Sequence, residues 1–244
     1  MNPLSVQLYS LRDQMDDPRA VLTKLADIGY GAVEPYSPTT DPKGFRAIAD
    51  ELGLAVSSTH APVLGEKRDE VLDAMATIGT DTVIVPATAR ERWTDREGVE
   101  GVAAELNETA KHVAARGMRI GYHNHWWELE NVVDGRPALE VFADALDPEL
   151  ILEVDIYWAA VGGVDVPELL ARLGDRVRLL HVKDGPATKG DPMTAVGQGV
   201  VPIAASLAAN KTVEWHVVEL DECATDMVQA LADSYTFLTT GGIR

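Results

Sequence analysis

One cysteine, Cys223, is all that the 244 residues contain. A single thiol excludes an internal disulfide and a cysteine-based zinc cluster, and such a chain fits the reducing cytoplasm best. Positive charge is scarce: 21 Lys and Arg stand against 39 Asp and Glu, a net charge of −18. That field repels phosphate backbones and anionic lipids, so neither nucleic acid nor membrane is an expected partner. Its plain reading is a solvated acidic surface. No run of about 18 apolar residues occurs, so no membrane span is expected. The opening MNPLSVQLYSLRDQ has no basic patch followed by an apolar run, the mark of a secretory signal. No GxGxxG or GxxxxGKS/T motif follows the first apolar run, which argues against nucleotide binding.

What the chain does have is alternation. Hydrophobic residues make up 46% of it, enough for a large core. Eight short apolar runs recur: Leu4 to Tyr9, Ala32 to Pro35, Ala55 to His60, Thr82 to Pro86, Arg119 to His123, Ile151 to Asp155, Val177 to Val182 and Val213 to Glu219. Between them lie amphipathic stretches such as DPRAVLTKLADIGY, DPKGFRAIADELGL and DREGVEGVAAELNETAKHVAARG. Asp17-Pro18 and Asp41-Pro42 have the form of an N-cap followed by a first-turn proline, and Gly29, Gly53 and Gly117 sit where C-caps belong. The last helix is expected over about Asp226 to Leu238. Strands alternating with helices mean a parallel sheet covered by helices. With no linker or low-complexity tract, the expectation is a single α/β domain over 1–244, a closed (β/α)8 TIM barrel, close to the roughly 250 residues usual for that fold.

Six of the eight runs open apolar and end in charge or imidazole. Glu34 closes the second, His60 the third, His123 and His125 the fifth. Glu153 and Asp155 close the sixth, His181, Lys183 and Asp184 the seventh, Glu219 and Asp221 the eighth. Every second side chain of a strand shares a face. Ile151, Glu153 and Asp155 therefore point together, as do Leu179, His181 and Lys183, and Val217, Glu219 and Asp221. Ionisable groups inside a barrel are costly unless paired or metal-bound, and barrel active sites lie at the C-terminal strand ends. Each residue also has a duller reading. Asp184 and Asp221 suit helix N-caps, Glu153 suits an interior ion pair with Lys183, and His112 and His216 read as surface and outward-facing positions. Trp126, Trp127 and Trp158 suit either plain core or a pocket wall that stacks on a sugar. Taken together, a carboxylate, an imidazole and a second carboxylate from the sixth, seventh and eighth runs converge on a small circle. Such mixed oxygen and nitrogen donors suit Mn²⁺, Mg²⁺, Co²⁺ or Zn²⁺.

The segments VQLYSLRD, GYGAVEPYS, SSTHAP, YHNHWWELE, LEVDIYWAAVGGVD, RLLHVKDG and VVELDEC, in this order, resemble the sugar phosphate isomerase/epimerase family, the xylose isomerase-like barrels. The resemblance spans essentially the whole chain. It implies a divalent metal held by Asp155, His181 and Glu219. Relatives place a Glu at the end of the fifth strand, where this chain reads HNH, so His123 stands in the fourth place with Glu128 as its rival. The reaction implied is proton transfer next to a carbonyl through an enediolate, with Glu219 as acid/base, partnered by His123 or His125. Glu34, His60, Lys183 and Trp158 are expected to bind the substrate, a sugar or cyclitol. Elimination of water or an alkoxide from a keto sugar, as in inosose dehydratase-like or keto-glycoside-cleaving relatives, would use the same machinery. A non-catalytic sugar-binding barrel is a further alternative. An endonuclease IV-like repair enzyme would need the basic surface this chain lacks. Assembly into a homo-oligomer is left open.

Overall fold

The computed structural model describes residues 3–241. Eleven strands occur among them: β1 (Leu4–Gln7), β2 (Ala32–Glu34), β3 (Ala55–Val56), β4 (Thr59–His60), β5 (Thr82–Val85), β6 (Arg119–His123), β7 (Val132–Val133), β8 (Arg136–Pro137), β9 (Ile151–Asp155), β10 (Val177–Val182) and β11 (Trp215–Val218). Nine form one all-parallel sheet in the order β3-β2-β1-β11-β10-β9-β6-β5-β4. Its two edges are neighbours in sequence. β3 pairs with β2, β4 pairs with β5, and only Ser57 and Ser58 lie between them. The third run of the sequence is thus one strand position broken in two, and it brings the sheet round into a nearly closed barrel of eight strand positions.

The helices are set by the signals in the sequence. Asp17, Asp41 and Asp95 each accept the backbone N–H three residues on, at the start of helices Pro18–Ile28, Pro42–Leu52 and Arg96–Ala115. Gly29 ends the first of these at φ +116°, a conformation that L side chains avoid, and a Cβ there would also strike the Tyr235 hydroxyl at 2.7 Å. The last helix runs Met227–Thr240. A two-stranded hairpin, β7 with β8, was not apparent from the apolar runs. Its turn is Asp134-Gly135, both at positive φ, the pair that a tight hairpin turn requires.

Inside the barrel the side chains form tiers. The lowest is apolar: Ile84, Ile151, Leu179 and Val217 form a small cluster of their own. Gly121 serves this tier, since a Cβ there would lie 2.8 Å from both Ile84 and Ile151. Its missing side chain makes room for the apolar plug. Two residues beyond Gly121, Ile151, Leu179 and Val217 the same face turns polar, at His123, Glu153, His181 and Glu219, and the polar cluster begins.

Asp184 is not a helix cap. Its carboxylate accepts the N–H groups of Gly185 (2.8 Å), Gly197 (2.9 Å), Gly199 (3.0 Å) and Val201 (3.1 Å), gathering the long loop after β10 around one charge. Asp184→Ala leaves those donors without their acceptor, so about 3 kcal/mol of stability should be lost. Urea unfolding measures this, and a variant as stable as the parent would show that water replaces the carboxylate.

Candidate functional site

Strands β9, β10 and β11 stand side by side, with His181 in register with Asp155 on one side and Val217 on the other. Their shared inward face therefore lifts Asp155, Lys183 and Glu219 to the same end of the barrel, as the alternation predicted. His123 ends β6, with Glu153 of β9 beside it. His125 follows two residues later, its ring stacked on Trp127 at 4.2 Å. Between the two histidines Asn124 points the other way. It accepts the Asp155 N–H (3.0 Å) and donates to the Asp155 carbonyl (3.4 Å), tying the HNH segment to β9.

The cluster has two polar tiers. In the upper one Lys183 Nζ lies 2.6 Å from Glu219 Oε2, 3.0 Å from Asp155 Oδ2 and 2.9 Å from Asp221 Oδ2. In the lower one Glu34 and Glu153 face three rings. His60 Nε2 is 2.6 Å from Glu153 Oε2, and His181 Nε2 is 2.8 Å from Glu34 Oε2 and 3.1 Å from Glu153 Oε2. Glu34 is further held by Gln7 (2.7 Å) and Ser58. The rings of His123 and His181 join the tiers. His181 Nδ1 meets Glu219 Oε2 at 2.8 Å, while His123 turns Nδ1 to Glu153 (3.3 Å) and Nε2 to Asp155 (3.8 Å).

Burial sharpens these charges. It disfavours the Lys183 ammonium, but Asp155, Asp221 and Glu219 outweigh that and hold its pKa well above the ordinary value. Glu219 is likewise penalised by burial, yet Lys183 and His181 keep it well below the usual carboxylate range. For His181, burial is outweighed by Glu153, Glu219 and Glu34, and its pKa is raised. For His123 the compensation from Glu153 falls short: burial and then the charge on His181 push its pKa well down. His125 falls to about 3, through burial and then Lys183. Asp155 rises to about 6 through burial, and its buried Oδ2 has no hydrogen-bond partner although Lys183 is near.

A cavity of about 480 Å³ opens above the upper tier, and His60, His123, His125, Trp158, Lys183 and Glu219 all line it. Asp155 and His181 lie under its floor, fully buried. One expected substrate contact does not reach it. Glu34 is fully buried beneath His181 and has no surface to offer a substrate. Glu153 pairs with His60 and His181 and not with Lys183, which belongs to the upper tier. Asp221 is no helix cap either; it is the third anchor of Lys183. Trp158 lines the cavity and Trp127 is buried behind His125. Tyr9, Arg12 and Tyr36 also line it. They follow the first two strand ends in VQLYSLRD and AVEPYS, two to five residues past Gln7 and Glu34, and that place was the signal for them.

Four side chains, His123, Asp155, His181 and Glu219, each bring one donor atom within 4.8 Å of the others. Two carboxylate oxygens and two imidazole nitrogens, one of the oxygens without a hydrogen bond, form a donor set that suits a divalent ion. A second set, His60, His123, Glu153 and His181, shares two of its members and lies deeper.

A barrel of parallel strands with acid and imidazole gathered at its C-terminal end has its polar cluster where the active sites of α/β barrels lie. Residues 22–221 match the model of the xylose isomerase-like TIM barrel, and the chain belongs to that family. It is 29% identical over 191 residues to an inosose dehydratase from Geobacillus kaustophilus. That match takes in 67% of this chain and spans only 61% of the relative's length. A crystal structure named as a sugar phosphate isomerase/epimerase from Parabacteroides distasonis superposes with a TM-score of 0.83 at 23% identity, covering 99% of this chain and 95% of that one. A D-allulose 3-epimerase from Methylomonas sp. gives 0.68 at 14% identity, covering 98% of each. At such identities both structures speak for the fold alone. No described helix is long and apolar enough to cross a membrane.

Proposed function

We propose that this protein is a divalent-metal-dependent isomerase or epimerase of a small sugar, working by proton transfer through an enediolate at the C-terminal face of the barrel. The observation that carries the reading is the convergence of His123, Asp155, His181 and Glu219 at the floor of a cavity walled by His125, Lys183 and Trp158. A Mn²⁺, Co²⁺, Mg²⁺ or Zn²⁺ ion held by those four would supply Lewis acidity to carbonyl and hydroxyl oxygens.

The chain's own groups divide the remaining work. Glu219 is held ionised, and its Oε2 carries the contacts to His181 and Lys183, so Oε1 is the oxygen that takes the proton from the substrate carbon. Lys183, anchored by Asp221 at the cavity wall, donates to the substrate oxygen where negative charge develops. His125 stays neutral, and its ring offers a hydrogen bond to a hydroxyl without adding charge. Trp158 presents a face on which a sugar ring can stack.

The inosose dehydratase relative favours a second reading, elimination of water from a keto sugar or cyclitol. After the same proton abstraction, the electron pair would expel a β-hydroxyl and not await reprotonation. Product analysis in deuterated water separates the two: isomerisation puts deuterium on carbon, and elimination yields an absorbing enone and water.

The metal is tested first. Chelation, reloading and elemental analysis should find one ion per chain in the parent and little in Asp155→Ala or His181→Ala. Full metal retention in both variants would move the site elsewhere.

A further inference from the structure

We infer that a second cavity, beside the one above the polar cluster, is a subsite for an apolar substituent, aryl or alkyl, carried by the sugar. The inference rests on the reading that the first cavity holds the sugar, and it extends that reading to the substrate's non-reacting end. The second cavity has a volume of about 440 Å³, against about 480 Å³ for the first. Both are of the size that small-molecule sites have. Arg12 and Tyr36 line both, so the two cavities adjoin across that pair of side chains. Their chemistry differs. The first is walled by imidazole, ammonium and carboxylate. The second lies between the short 3₁₀ helix Leu8–Gln14, residues 35–41 and helix Pro42–Leu52. Leu8, Met15, Pro35, Pro38, Phe45 and Ile48 give it apolar walls. Met15, Phe45 and Ile48 pack against the main core, yet each is only half-buried. Protein interiors are close-packed, so packing alone does not account for a hollow of this size with apolar groups turned into it.

The boundary between the cavities suits the join between a sugar and its substituent. Arg12 holds its guanidinium 4.4 Å from the centre of the Tyr9 ring and donates to the Tyr9 carbonyl (3.0 Å). Tyr9 meets Tyr36 edge to face, with centroids 5.3 Å apart. Among the described residues Arg12 pairs with no carboxylate, which leaves N–H donors for the oxygen that joins the two parts. Charge selects against an anionic substituent. Arg12 is the one cation among the described residues that line the second cavity, and Asp16 and Asp41 line it too, in a chain of net charge −18. A phosphate or carboxylate placed there would face two acids. A sugar alone would leave the apolar walls in water, whereas an aryl or alkyl group covers them.

Calorimetric titration of the protein supplied with Zn²⁺ tests this, using glucose, galactose and mannose and the phenyl β-glycoside of each. For a sugar that binds, its phenyl glycoside should bind about 10- to 100-fold more tightly, the gain expected from burying one ring. Phe45→Ser and Ile48→Asp should each cut that ratio by about 10-fold. In the parent, the methyl NMR signals of Met15 and Ile48 should shift with the phenyl glycoside and stay in place with the sugar alone. That readout needs no variant, so it decides the matter should a variant not fold. Equal affinity for glycoside and sugar, or a bound phenyl ring that moves neither methyl, overturns the inference while the sugar reading stands. A protein that binds none of the six compounds fails the sugar reading itself, and the inference falls with it. A parent dimer that Ile48→Asp splits into monomers would make the hollow an interface between copies and would also overturn the inference.

Discussion

Glu219→Gln is expected to lower solvent deuterium exchange at the substrate carbon by about 10²- to 10⁴-fold, the range that a positioned acid or base contributes. The substitution is nearly isosteric, so the fold should survive it. A glutamine carbonyl can still accept from one neighbour, and Lys183 keeps Asp155 and Asp221 as partners, so the upper tier need not collapse. Some metal should therefore remain, with weakened affinity, because Asp155, His123 and His181 are unaltered. What the variant lacks is a basic oxygen. The parent carboxylate is held in its ionised form by Lys183 and His181 and lines the cavity, and an amide cannot take a proton at neutral pH. Metal content and exchange should hence separate: partial loss of the first, near-complete loss of the second. If exchange is unchanged in protein shown to be loaded, Glu219 is a ligand only and the base lies elsewhere on the wall.

The strand ends were legible because alternation is a strict rule. Asp155, Lys183 and Glu219 share the inward parity of β9, β10 and β11, and the structure brings them to the same place. The capping aspartates and the eight apolar runs placed the elements for the same local reasons. Depth was not legible. Glu34 and His60 both end short strands, but Glu34 sinks beneath His181 while His60 reaches the cavity. That depends on the relative heights of strands in the sheet, which alternation within one strand does not encode. The partner of Lys183 was misjudged for a related reason. Glu153 is two residues nearer the barrel base than Asp155, and the strand register sets Glu153 beside Leu179 and Asp155 beside His181. Asp184 looked like an N-cap because caps follow strands so often, and its actual partners lie up to 17 residues on, across a glycine-rich loop. The Asp134-Gly135 turn was readable in VVDGRP, but its strands are two residues each and leave no periodicity to notice.

His123→Ala should cost at least the roughly 100-fold in metal affinity that marks the upper end for outer partners of metal ligands, while Glu128→Gln should leave that affinity within a few-fold of the parent. The two residues compete for the place where relatives carry a Glu, and their surroundings differ sharply. His123 turns Nε2 towards Asp155 and belongs to the tetrad with His181 and Glu219. Glu128 lies on the short helix Trp127–Glu130, fully buried, with both oxygens engaged: Oε1 accepts the Tyr122 hydroxyl (2.9 Å) and Oε2 the His125 N–H (2.9 Å). It braces the HNH segment from behind. Glutamine is the informative replacement because it can keep both contacts, whereas alanine would free the loop and confuse bracing with ligation. Charge gives an independent check. Burial lifts the Glu128 carboxyl to about 7, above its ordinary 4.5. A raised carboxyl opposes folding when ionised, so its contribution favours the fold at low pH and is lost as pH rises from about 4.5 through 7. Glu128→Gln should remove that dependence, seen as a flatter urea midpoint between pH 5 and 8 than the parent shows. With His123 as ligand, two carboxylates and two neutral imidazoles balance a divalent ion, which favours Mn²⁺, Co²⁺ or Zn²⁺ over Mg²⁺. Calorimetric titration of both variants with Mn²⁺ and Mg²⁺ decides the matter. A large loss in Glu128→Gln alone, with His123→Ala unaffected, would hand the fourth place to Glu128 and return the site to three carboxylates.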